Sequence, residues 1–166
     1  MANVFEQKGV KCMSYKVFVS YATKSLPSVE RAIQAISTGG VNAFVAEHSI
    51  APGYKLKEAI TRAISSSNLV LFMWDKEAAS SDWVKEEIGM AIVLNKKILP
   101  IKIKGSPPLP DIIRDVKYLK LDPESTDSWQ ALRTTVIENV REHWETFMIC
   151  LVLLIAALIL FWCLSK

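Results

Sequence analysis

Apolar positions along the chain alternate between two periods. Residues 16–21 (KVFVSY) form a short β-branched and aromatic run, the pattern of a buried strand. After Pro27 and Ser28, the residues Val29, Ala32, Ile33 and Ile36 recur at helical spacing until Gly39 and Gly40 end the segment. Residues 42–46 (NAFVA) predict a second strand, followed by a loop holding Ala51, Pro52 and Gly53. Within 55–66, Leu56, Ala59, Ile60, Ala63 and Ile64 line one face of an amphipathic helix. Residues 68–74 (NLVLFMW) are apolar almost throughout, as a strand covered on both faces is. Ser80, Ser81 and Asp82 are N-cap candidates for a helix from Trp83 to about Leu94. A fourth strand falls at 98–103 (ILPIKI), where Pro100 lacks an N–H and predicts an edge or a bulge. A Pro-rich loop at 105–110 leads to a fifth strand at 116–121. A last helix then opens at Asp127 or Ser128 and runs through Trp129, Leu132, Val136 and Val140.

That last helix reads as continuing without a break into 147–164, FMICLVLLIAALILFWCL, which holds no charge, Pro or Gly. As a helix this run is about 27 Å long, close to the ~30 Å hydrocarbon core of a bilayer. Trp144 and Trp162 sit near its ends, where amphipathic rings favour the membrane–water interface. A buried core helix of this length has a polar face, and this run has none, so a membrane span is expected. Residues 1–14 read as a lead, 15–145 as the folded domain and 146–166 as a single-pass C-terminal anchor. The lead carries Lys8 and Lys11 but no apolar core behind them, unlike a signal peptide. Only Ser165 and Lys166 follow the span. The expected topology is therefore tail-anchored with the domain cytoplasmic, and Arg133 and Arg141 on the near flank agree with it.

Strands alternating with helices across short turns predict an α/β fold: a flavodoxin-like, five-stranded parallel sheet with helices on both faces, plus one C-terminal transmembrane helix. Sheets of this kind bind ligands beyond the carboxyl ends of their strands, here after Val19, Ala46 and Met73.

Composition narrows the function. With 166 residues the chain holds one globular domain, and its net charge of +3 is not gathered into the basic, aromatic-interleaved stripe of a nucleic-acid binder. Cys12, Cys150 and Cys163 make neither a disulfide framework nor a CxxC pair, and His48 and His143 have no metal-ligand spacing, so no metal site is expected. Asp75 closes the third strand as a phospho-acceptor would. That chemistry needs an acidic pair after the first strand to hold Mg²⁺, and Ser20 and Tyr21 stand there instead.

Four segments, in order and at matching spacing, carry a resemblance. VFVSY (17–21) resembles the opening box of Toll/interleukin-1 receptor (TIR) domains. VNAFVAEHSIAPG (41–53) resembles their BB loop, SSDWVKEEIGMAI (80–92) their S-x-W-V-x-x-E-I-x-x-A signature, and KKILPIKI (96–103) the strand that follows. Short stand-alone chains of this kind look prokaryotic in type. Many such TIR domains cleave NAD⁺ with the Glu four residues after the Trp, which is Glu87 here. NAD⁺ would enter as substrate, with no cofactor. The resemblance also implies Ser20, Tyr21, Lys24 and Trp83 as substrate-lining residues, and self-association through a loop containing Ile50, Pro52 and Gly53. It suggests defence or stress signalling, with a non-catalytic TIR adaptor as the alternative. Two positions depart from the pattern. Ala22-Thr23-Lys24 stands where an arginine or polar pair is common, and Glu47 is displaced by one from the acidic position after the second strand.

Helical geometry separates Glu87 from its neighbour. Adjacent residues on a helix lie about 100° apart, so Glu86 and Glu87 do not face the same way. Glu87 falls one turn from Trp83 and Ala91, beside a Val84, Ile88 and Ile92 stripe, where partial burial is expected. Cleaving nicotinamide from ribose passes through an oxocarbenium-like state that a carboxylate stabilises, and nicotinamide leaves as a neutral group, so one carboxylate suffices.

Overall fold

The computed structural model describes residues 15–37, 41–45 and 55–165. Five strands, β1 (Tyr15–Ser20), β2 (Val41–Val45), β3 (Leu69–Trp74), β4 (Ile98–Ile103) and β5 (Leu119–Leu121), pair in parallel in the order β2-β1-β3-β4-β5. The flavodoxin-like order expected from the sequence is present. Its direction of winding reverses between β1 and β3, and the two carboxyl ends diverge there into a crevice.

Among the described residues five helices accompany the sheet: α1 (Leu26–Ile36), α2 (Leu56–Ser66), α3 (Lys76–Ser80), α4 (Asp82–Val93) and α5 (Thr126–Leu164). Strand alternation divides the core into two layers. Val17 and Val19 of β1, with Leu69, Leu71 and Met73 of β3, pack on Val29, Ala32 and Ile36 of α1 and on Trp129, Leu132 and Val136 of α5. Phe18, Val70, Phe72 and Trp74 point the other way, onto Ile60 and Ile64 of α2 and Val84, Ile88 and Ala91 of α4. All six β3 residues are buried, which is why that strand reads as one apolar run.

Three local features differ from the sequence reading, each for a physical reason. β5 has three residues rather than six, because a 3₁₀ turn at Asp111–Ile113 consumes the chain before it and the Val116 N–H closes back on the Ile113 carbonyl at 3.1 Å. Helix α3 was not expected. It is a single turn that Asp75 caps by accepting the Ala78 N–H at 2.8 Å, too short to show a hydrophobic period. Pro100 makes no bulge, since the β3–β4 register runs unbroken through Phe72↔Pro100. The Lys97 carbonyl accepts from Val70 and the Lys104 N–H donates to Leu121, so odd residues of β4 bond toward β3 and even ones toward β5. Pro100 therefore aims its missing N–H at β5, whose ladder begins only at Ile101↔Leu119. The proline occupies a local edge in an internal strand.

Helix α5 is unbroken over 39 residues and contains no Gly or Pro. Its first part covers the sheet. From Phe147 to Leu164 every residue is exposed and no other described element covers it, and this segment is long and apolar enough to cross a membrane.

Candidate active site

The alternation that sends Phe18 toward α2 and α4 sends Ser20, two residues on, toward the same layer at the carboxyl end of β1. Ser81 caps α4 by accepting the Val84 N–H at 3.3 Å, which fixes the first turn of that helix. Trp83 and Glu87 then lie one turn apart on the same face. The Trp83 indole Nε1–H donates to Glu87 Oε1 at 2.8 Å, and the Ser20 hydroxyl donates to Glu87 Oε2. Both carboxylate oxygens accept hydrogen bonds in a site where Glu87 is 2% exposed. Burying a carboxylate is expensive, and donors at both oxygens offset that cost.

Glu87 is thus fully buried, where partial burial was expected. The α4 core stripe is Val84, Glu87, Ile88 and Ala91, and Ile92, expected in it, is 38% exposed. At about 100° per residue, position 92 lies roughly a quarter-turn from the centre of that stripe. Glu86 lies on the exposed side of the same helix and forms an ion pair with Lys57 of α2 at 3.6 Å.

In front of Glu87 lies a cleft of about 210 Å³. Val19, Ala22, Leu56 and Ile60 form its apolar wall, and Tyr21, Thr23, Ser81, Trp83 and Glu87 supply polar groups. The cleft opens at the carboxyl end of β1, beside the crevice of the sheet. The loop after β1 is held in place from the far side. The Ser25 hydroxyl donates to Asp75 Oδ2, and the other Asp75 oxygen caps α3. Asp75 ties together the ends of β1 and β3, a structural use of the position where a phospho-acceptor would sit.

Ser20, Tyr21, Trp83 and Glu87 therefore meet at one site. Ser20 acts on the carboxylate from beneath, and Trp83 is 37% exposed at the rim rather than part of the core. Lys24 does not join them. It sits exposed on the 3₁₀ turn Thr23–Ser25, paired with Glu77 at 3.6 Å, and does not line the cleft. Its turn curls toward α3, so its ammonium meets the first turn of that helix instead. Ile50, Pro52, Gly53 and Glu47 lie outside the described residues. Sequence reasoning missed Thr23, Leu56 and Ser81 as cleft residues. Leu56 and Ser81 were read as helix stripe and cap, and Leu56 betrays its second role only by staying 46% exposed at the end of an apolar stripe. A larger recess of about 370 Å³, lined by Lys102, Lys104, Lys120, Ser106 and Asp122 among others, lies between β5 and the start of α5. Its carboxylate, Asp122, is tied to Lys104 at 2.7 Å, which holds that carboxyl below its usual range.

A family profile described as "TIR domain" matches residues 17–136. No curated protein sequence matches the chain. Among solved structures, the TIR domain of the Toll-related receptor TRR-2 from Hydra magnipapillata superposes with a TM-score of 0.65 at 18% identity, covering 77% of this chain and 99% of that one. The TIR domains of the activated Roq1 resistosome, which recognises the pathogen effector XopQ, give a TM-score of 0.61 at 14% identity, with 76% and 99% covered. The CMP N-glycosidase BcmB from Clostridium botulinum gives 0.53 at 19% identity, with 74% and 98% covered. At these identities the likeness is one of fold.

Proposed function

The chain belongs to the TIR domain family, and from that premise we propose that it is a membrane-tethered NAD⁺ nucleosidase, activated by self-association and working in defence or stress signalling. One observation carries the reading: Glu87, at the position the family's hydrolases use, is buried behind a cleft with its carboxylate fixed by Ser20 and Trp83. In the proposed reaction the bond from the ribose anomeric carbon to the nicotinamide nitrogen breaks, and its electron pair stays with nicotinamide, which leaves neutral. Water adds to the resulting oxocarbenium-like centre and loses a proton, giving ADP-ribose. Glu87 opposes the developing positive charge from a fixed position in a low-dielectric site.

Self-association enters through the size of the cleft. At about 210 Å³ it is smaller than the roughly 300–1,000 Å³ typical of small-molecule pockets and encloses only part of a dinucleotide. Assembly through the loop containing Ile50, Pro52 and Gly53 is proposed to open or complete it. The uncovered 147–164 segment, set in the bilayer with the domain cytoplasmic, would raise local concentration and favour that assembly.

A second reading, a non-catalytic adaptor that recruits other TIR proteins, is favoured by the same burial, because a purely structural carboxylate is also satisfied at both oxygens. Incubating the full chain, clustered on liposomes, with NAD⁺ and measuring nicotinamide separates the two. Release supports the enzyme, and its absence under every clustering condition favours the adaptor. CMP belongs in the same assay, since BcmB is described as cleaving the N-glycosidic bond of that nucleotide.

A further inference from the structure

Helix α5 determines which edge of the domain a bilayer would meet. It begins beside the carboxyl end of β5 and runs back toward the amino ends of the strands. There Glu142 pairs with Lys97, the residue before β4, at 2.8 Å, and the His143 ring meets that of Tyr15, the first residue of β1, at 5.4 Å between centroids. The amino ends of β1 and β4 are therefore level with 142–143. From Glu142 to Phe147, where the uncharged run begins, the helix rises about 7.5 Å. The headgroup layer on each side of a bilayer is about 5–8 Å thick, so with 147–164 in hydrocarbon the amino edge of the sheet stands at headgroup level. Lacking Gly and Pro, α5 offers no hinge that would turn the domain away.

The same edge carries what a lipid surface would engage. Helix α4 ends there in a Schellman turn: Asn95 adopts a φ of 50°, its N–H bonds the Ile92 carbonyl, and the Lys96 N–H bonds the Ala91 carbonyl. This closure leaves Val93 84% exposed, the most exposed large apolar residue described outside the 147–164 segment. Lys96 lies beside it with its ammonium on the Ser65 and Ser67 carbonyls at the end of α2, and Lys16, near the start of β1, is exposed on the same layer. Among the described residues Lys97 and Arg141 are matched by Glu142 and Glu145, so Lys16 and Lys96 give this edge a positive excess. A tilt of about 20°, the average for transmembrane helices, is enough to lower the α4 side onto the surface.

We propose that this amino edge lies against anionic phospholipid headgroups, with Val93 as the apolar contact and Lys16 and Lys96 facing the lipid charge. The candidate active cleft, at the opposite end of six-residue strands, is then held about 20 Å further out and faces solvent, open to substrate and to other copies. The proposal rests on the membrane-anchored reading. The test uses the full chain reconstituted in phosphatidylcholine vesicles with or without phosphatidylserine, carrying a benzophenone amino acid in place of Val93 or, for comparison, of Lys104 at the carboxyl edge. An alkaline carbonate wash comes first, and release of the chain would overturn the anchor and the docking together. With the chain retained, several-fold more lipid adduct at 93 than at 104 is expected, falling several-fold without phosphatidylserine or with Lys16→Glu. Equal adduct at the two positions, or no response to lipid charge, would overturn the docking and leave the anchor standing.

Discussion

Ser20 at the end of β1 donates its hydroxyl hydrogen to Glu87 in the middle of α4, 67 positions away in sequence, inside the buried layer between sheet and helix. The bond ties the carboxylate to the sheet, while Trp83 holds its other oxygen from within the same helix. Position and charge of the proposed catalytic group are thus set by two donors of different kinds, and each makes a separate prediction.

Removing a donor should loosen the carboxylate without removing it. Ser20→Ala is expected to lower kcat for nicotinamide release about 10- to 100-fold, corresponding to the ~1.5–3 kcal/mol of a hydrogen bond to a charged group, with KM little changed. Trp83→Phe keeps a ring at the rim and deletes only the N–H, so it should act in the same direction and less strongly, because that donor belongs to a side chain 37% exposed at the rim whereas Ser20 is buried. Steady-state kinetics on the clustered chain, with a urea melt beside it, read both effects. Unchanged kcat in Ser20→Ala would leave that bond structural only.

Tyr15 predicts an alkaline limit to stability. Burial, and secondarily the charge of Glu142, push its phenol up to about 12, above the ordinary tyrosine value of about 10. The folded state therefore holds the proton more tightly than the unfolded one. This contribution is fully present below pH 10 and is lost as pH rises through about 12, some 2–3 kcal/mol in all. Tyr15→Phe cannot ionise, so the gap between wild type and variant in urea-melt stability should shift against wild type by roughly that amount across the window. Parallel pH profiles for the two proteins would contradict it.

Much of this fold was legible because its signals are periodic. β3 is apolar at every position, the α2 stripe repeats at helical spacing, and strands alternating with helices require a parallel sheet. What stayed hidden lacks a period. Helix α3 is one turn built on the Asp75 cap, and the three-residue β5 owes its length to a 3₁₀ turn that no hydrophobic pattern marks. The site divides in the same way. Glu87 was found through the W-x-x-x-E resemblance, whereas its full burial was not foreseen, since helical spacing put it beside the apolar stripe rather than in it. Ala91 takes the core place expected of Ile92 because Glu87 rotates the buried stripe toward itself. The resemblance implied Lys24 as a substrate-lining residue, but the 3₁₀ turn carries it toward Glu77.

Self-association is expected to depend on the loop that contains Ile50, Pro52 and Gly53. Pro52→Asp and Gly53→Arg place a charge in that proposed interface and should shift sedimentation of the clustered chain toward monomer at matched concentration. Nicotinamide release should fall in parallel, because the single-chain cleft of about 210 Å³ encloses only part of a dinucleotide. Unchanged oligomers in both variants would move the interface elsewhere.

The sharpest prediction concerns Glu87, and its burial changes which variant is informative. Glu87→Ala would strand the Ser20 hydroxyl in the core and remove a satisfied group, at a cost of about 1–3 kcal/mol, so lost activity could be lost structure. Glu87→Gln avoids that confusion. The indole N–H of Trp83 only donates and needs the amide oxygen, while the Ser20 hydroxyl rotates to accept from the amide NH₂, so both contacts survive and only the charge is gone. Stability of Glu87→Gln should stay within about 1 kcal/mol of wild type, and nicotinamide release should fall by at least ~100-fold, since the carboxylate's role is to oppose the developing positive charge. Glu86→Ala should retain most activity, because that side chain faces Lys57 on the exposed side of α4 and forfeits only a surface ion pair. A folded Glu87→Gln chain with wild-type turnover would rule out the electrostatic mechanism and leave Glu87 as the buried anchor of α4 to the sheet.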